Sequence, residues 1–141
     1  MTYATQDDLV SRFGETEIIQ LSDRANTGAI DAAVIADKLT DADAEIDSYL
    51  AGRYTLPLSP VPLTLQRLAC DIARYHLYDD RPIEYVVKRY EAAIRFLEMV
   101  AKGTVQLGTD SSGQVPPSAD SPAFVSPAPV FNRCTLKDYV G

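Results

Sequence analysis

Asp31-Ala32-Ala33-Val34-Ile35-Ala36-Asp37-Lys38-Leu39-Thr40-Asp41-Ala42-Asp43-Ala44-Glu45-Ile46-Asp47-Ser48-Tyr49-Leu50-Ala51-Gly52 decides the fold. Ile35, Leu39, Ala42, Ile46, Tyr49 and Leu50 recur in alternating steps of four and three, the spacing that puts side chains on one face of an α-helix. Asp37, Asp41, Glu45 and Asp47 occupy the remaining faces. The segment from Asp41 to Asp47 imitates the start of a calcium loop, but Ile46 stands where the turn glycine belongs and Gly52 where a bidentate glutamate belongs. The apolar rhythm also runs through it unbroken, so it reads as acidic helix and no metal site is predicted.

Beyond this helix, Leu56-Pro57-Leu58-Ser59-Pro60-Val61-Pro62 carries three prolines and predicts a stiff, extended connection. Pro62 suits the first turn of a following helix, where its missing N–H is not needed. That helix reads to about Tyr78 with Leu65, Leu68, Ala69, Ile72 and Ala73 on one face. After the break Asp79-Asp80-Arg81-Pro82, Pro82 opens a further helix to Lys102. Its buried stripe is Val86, Tyr90, Ala93, Ile94, Leu97 and Ala101, and Gly103 ends it.

On the other side, Thr5 followed by Asp8 resembles a capping box for a helix over Gln6–Phe13, and Gly14 ends it. A second short helix reads over Glu15–Leu21, and a polar loop follows from Ser22 to Gly28. The fold class is therefore all-α: about four main helices in a domain over 1–102. Residues 103–141 read as an extended arm rich in proline and serine, which cannot bury enough surface to fold alone. Its last residues turn apolar and aromatic again, so Phe131, Arg133, Leu136 and Tyr139 form a candidate docking peptide on a tether.

The 141 residues carry a net charge of −7, unevenly spread. Residues 1–52 hold three basic and eleven acidic side chains, and residues 53–102 hold eight basic and six acidic. An acidic whole argues against binding to a phosphate backbone, which depends on clustered Lys and Arg. An acidic front and a mildly basic middle can instead meet across a subunit boundary. No apolar run approaches the ~20 residues of a membrane helix, and the first residues do not read as a signal peptide. A protein acting inside the producing cell is expected, with no membrane partner. Cys70 and Cys134 read as a buried small hydrophobe and a tail thiol.

Little in the chain points to turnover. His76 is the sole histidine and has no sequence neighbour that would make it a nucleophile–base pair. No phosphate loop or dinucleotide-binding glycine pattern occurs, so no cofactor is predicted. Aromatic residues and arginine dominate interface hot spots. Arg53 with Tyr54 and Arg74 with Tyr75 are accordingly the first interface candidates, and Asp41 and Glu45 are the acidic counterparts.

Several blocks together resemble a known family. They are Tyr3-Ala4-Thr5 with Asp8-Leu9 and Arg12-Phe13-Gly14-Glu15, then Asp23-Arg24, then Ala42 through Tyr54. Leu56-Pro57-Leu58, Pro62, Cys70 through Tyr75, Arg89-Tyr90, Ala93, Phe96-Leu97 and Lys102-Gly103 complete them. The pattern is similar to that of the small head-tail connector (adaptor) proteins of Mu-like phages and prophages, over about residues 3–108. The resemblance implies a non-enzymatic, mostly helical virion protein. It implies a homo-oligomeric ring of roughly twelve copies at the phage neck, docked on the portal protein, carrying a stopper or tail-terminator protein and assembled in the host cytoplasm. Genomic DNA would pass through without sequence-specific contact, and acidic lumen walls would discourage sticking. No catalytic residue is carried over. The rival readings are a helical nucleic-acid-binding or packaging accessory protein, using Lys88, Arg89 and Arg95, and a small carboxylate hydrolase.

Overall fold

The computed structural model describes residues 2–58 and 60–107. These form five helices: α1 (Gln6–Phe13), α2 (Glu15–Ser22), α3 (Ala32–Leu50), α4 (Leu63–Leu77) and α5 (Glu84–Lys102). No strand occurs among the described residues. The all-α expectation therefore holds, with five helices where about four main ones were expected. The arm from residue 108 onward, with Phe131, Arg133, Leu136 and Tyr139, lies outside the described residues.

Local chemistry sets most helix ends. The Thr5 backbone N–H donates to Asp8 Oδ2 at 2.8 Å, and the Asp8 N–H donates back to Thr5 Oγ1 at 3.3 Å, a reciprocal cap on α1. Gly14, at φ 92°, ends α1 and starts α2 in a conformation that side-chain-bearing residues avoid. Asp31 accepts from the N–H groups of Ala33 and Val34 and so caps α3.

Two proline assignments shift. Pro62 is the N-cap of α4 rather than a member of its first turn. α5 begins at Glu84, after Pro82 and the extended Ile83, which places the Glu84 carboxylate in the first turn near the positive end of the helix dipole. The α3–α4 connection is also a series of turns with a cis Leu56–Pro57 peptide, not one extended run.

α3, α4 and α5 pack on one another, and α1 and α2 lie across α3, with α1 also against α4. The shared core is built from Ile35, Leu39, Ile46 and Leu50 of α3, Leu65, Leu68 and Ile72 of α4, and Leu97 and Val100 of α5. Leu9 and Ile18 seal it from the short helices. Full burial of each such side chain contributes roughly 1.5–3 kcal/mol. Asp43 also lies on the buried face of α3, where it accepts the Tyr3 backbone N–H at 3.0 Å and ties the segment ahead of α1 to the core.

Gly103 closes α5 at φ 84°. A Cβ there would also meet the Arg53 guanidinium, whose nearest atom stands 2.6 Å from the ideal position. The chain then continues against the body rather than leaving it: Leu107 is buried, and its N–H donates to the Tyr54 hydroxyl at 3.1 Å.

Candidate assembly surfaces

Asp71 and Arg74 sit one turn apart on α4, both buried. Buried charges need partners, and both find them on other helices. Arg74 reaches 57 positions back in sequence to Glu17 of α2, with Nε and Nη2 each 2.7 Å from a different carboxylate oxygen. Its guanidinium carbon lies 4.3 Å from the centroid of the Phe13 ring, a cation–π geometry. Asp71 takes two hydrogen bonds from Arg89 of α5, from Nε at 2.9 Å and Nη2 at 3.2 Å, while Arg89 Nη1 donates to the Tyr85 hydroxyl. The hydrogen bond to Asp71 holds Arg89 protonated even beyond its ordinary range.

These pairs wall a cavity of about 500 Å³ lined by Arg12, Phe13, Arg74, Tyr85 and Arg89. Arg12 lies beside the Cys70 thiol, which burial pushes up to about 12 and keeps neutral. Cys70 is buried and free, in line with its reading as a small core residue.

A second polar cluster ties α3, α4 and α5 together at Glu45. Its Oε1 accepts the Tyr90 hydroxyl at 2.6 Å, and its Oε2 stands 3.0 Å from His76 Nε2. Tyr75 stacks flat on Tyr90 at 3.9 Å between ring centroids. Burial, then the hydrogen bond to Glu45, raises the Tyr90 pKa well above its ordinary value, so this hydroxyl stays a donor. Beside the cluster runs a groove of about 410 Å³ lined by Glu45, Tyr49, Tyr90, Glu91, Ile94, Arg95 and Glu98.

The residues singled out from sequence thus go to different places. Arg74 and Tyr75 are adjacent in sequence but serve separate clusters, because neighbours on a helix point in different directions. Glu45 and Tyr75 come together. Arg53 covers Gly103, Tyr54 anchors Leu107, and Asp41 stands exposed on the outer face of α3. His76, alone by sequence, is bracketed by Glu45 and by edge-on contacts to Tyr75 and Tyr90. The cavity residues Arg12, Phe13, Tyr85 and Arg89 lie outside the interface candidates that the sequence suggests. The available signal was Asp71 and Arg74, two charges on the apolar arc of α4. Among the described residues no group of three or more His, Cys, Asp or Glu side chains is placed to hold a metal ion. No helix among them is long and apolar enough to cross a membrane.

A family model described as Bacteriophage Mu, Gp36 matches residues 3–126. The chain belongs to that family. The "Mu-like prophage FluMu protein gp36" of Haemophilus influenzae is 36% identical over 138 residues, with 98% of each chain covered. "Gene product J" of Escherichia phage Mu is 37% identical over 135 residues, covering 94% of this chain and 96% of the relative. This Gp36-family member is thus a Mu-like phage protein. The match takes in all five helices and both clusters.

Proposed function

We propose that this Gp36-family protein is a head-tail connector (adaptor) subunit, a non-enzymatic virion component that forms a ring on the portal at the phage neck. The ring offers a docking surface to a stopper or tail-terminator protein and lets genomic DNA through without sequence-specific contact. A closed ring needs a heterologous interface, in which one face of a subunit meets a different face of the next. The supporting observation is a pair of unlike surfaces on one small helical body: a cavity walled by three arginines, and the exposed carboxylates Asp37 and Asp41 on the outer face of α3. Twelve copies and an acidic lumen belong to the same proposal.

The nucleic-acid reading is not adopted. Of its three cations Arg89 is already committed to the buried Asp71, and the exposed Lys88 stands beside Glu84, which offsets its charge. Phosphate-backbone binding needs free, clustered cations.

Imaging the neck of purified particles at side-chain resolution tests the proposal. The expected result is a ring of this chain between portal and tail. Purified particles that lack the chain, or contain it outside the neck, would refute it.

A further inference from the structure

The arginine-lined cavity holds one arginine, Arg12, that no carboxylate of the described residues pairs with directly. Arg74 and Arg89 are each matched by a carboxylate, Glu17 and Asp71. Arg12 is exposed, hydrogen-bonds the neutral Cys70 thiol, feels Asp8 at longer range, and forms no ion pair with a described residue. Phe13 and Tyr85 supply aromatic walls, and the exposed Ile83 and Tyr85, 52% and 57% accessible, stand together at the start of α5. Arginine and aromatic rings around a concave space form the composition of an interface hot spot. The walls limit water around an incoming anion and strengthen its attraction to Arg12.

We propose that this cavity is a socket for a carboxylate of a second copy of this chain, supplied by Asp41, with Asp37 one turn before it, on the outward face of α3. The proposal rests on the connector reading and specifies its interface. A concave socket needs a convex insert, which excludes the acidic groove beside Glu45 as its counterpart. Asp37 and Asp41 are exposed, four residues apart, and free of ion pairs with described residues. Their exposed neighbours Ala36, Thr40, Ala44 and Ser48 are small and let the helix approach closely. The helix buries its opposite side in the core, so insert and socket lie on different elements of one body, as a head-to-tail ring requires. A single arginine without an ion-pair partner, set among Asp8, Glu17 and Asp71, suits one carboxylate better than a run of phosphates.

The test supplies variants in trans to the phage lacking its own copy of the gene and measures the chain in purified particles. Arg12→Glu and Asp41→Arg each set like charges against one another and are expected to lower incorporation at least about tenfold. The two changes in one chain recreate the pair in reverse and are expected to restore incorporation to within about threefold of the parent. Helical content and Tm of each purified variant separate assembly from folding, and Arg12→Gln replaces Arg12→Glu should the latter fold poorly. Incorporation of folded Arg12 variants at the parental level would overturn the socket. So would a reversed pair no better than its weaker single, or a neck image with Arg12 against DNA. Absence of the parent chain from particles would instead remove the connector reading itself.

Discussion

Two polar clusters flank α4, built from similar residues to different ends. On one side Arg74 and Arg89 each grip a carboxylate through two hydrogen bonds, and Arg12 lines the same cavity without an ion-pair partner. On the other a single carboxylate, Glu45, is shared between Tyr90 and His76 under a stacked Tyr75. The first is a set of matched charges with a remainder. The second is a hydrogen-bond hub around one carboxylate. Charges taken out of water depend strictly on their partners, whereas hydroxyl and imidazole groups at a half-exposed edge can fall back on solvent. The arginine side should therefore be the more brittle of the two.

The largest expected effect follows from removing Arg74. Its side chain is 10% exposed and that of Glu17 25%. Arg74→Ala strands the Glu17 carboxylate and removes the stem packed on Phe13. Breaking a fully buried pair costs 3–5 kcal/mol. With Glu17 partly wetted, a loss of about 2–3 kcal/mol is expected, read as a lower urea midpoint at unchanged slope. Next comes Glu45→Ala, expected to cost about 1 kcal/mol because water can replace the carboxylate for both Tyr90 and His76. If Glu45→Ala proves the costlier change, the contrast between the clusters is reversed.

Alkaline titration sharpens the contrast differently. Burial lifts the Cys70 thiol from 9.0 to about 12, and burial with the Glu45 hydrogen bond lifts Tyr90 above its ordinary 10.0. The unfolded chain gives up these protons first. Their contribution is intact below about pH 9 and is lost progressively as pH climbs toward 12. Urea midpoints measured from pH 8 to 11 should fall accordingly. Cys70→Ala should flatten the onset between about pH 9 and 10, and Tyr90→Phe should lessen the part above it, to which the raised hydroxyls of Tyr3 and Tyr49 also contribute.

How far this was legible in the sequence depends on the range of the interaction concerned. The α3 face from Ile35 to Leu50, the Thr5–Asp8 cap and the Gly103 stop are local, set by periodicity and neighbours within one or two turns, and the helices follow them closely. Pro62 and Pro82 read as the opening residues of their helices but lie one and two residues ahead of them, since the fixed φ of proline suits the residues that lead into a helix as well as its first turn. The arginine cavity was not legible. Arg74 stood out as an arginine beside a tyrosine, yet its partner Glu17 depends on α2 folding across the bundle. Arg89 and Asp71 are eighteen residues apart on different helices. Tertiary packing alone brings these groups together.

The smallest effect tests whether neighbouring cations on α5 follow the same logic. Lys88 and Arg89 are adjacent in sequence and read there as one basic stretch. Lys88 pairs with Glu84 one turn away, with side chains 69% and 81% exposed, whereas Arg89 grips Asp71, whose side chain is 4% exposed. Exposed i,i+4 pairs contribute about 0.3–0.5 kcal/mol and are screened by salt. Lys88→Ala should therefore shift the urea midpoint barely at all, and not at all in 1 M salt, where the Debye length falls to about 3 Å. Arg89→Ala should keep a clear destabilisation at both ionic strengths, because Asp71 has no solvent to turn to. Equal losses for the two variants would mean that burial of the carboxylate, rather than the cation it meets, has been given too much weight on the arginine side of α4.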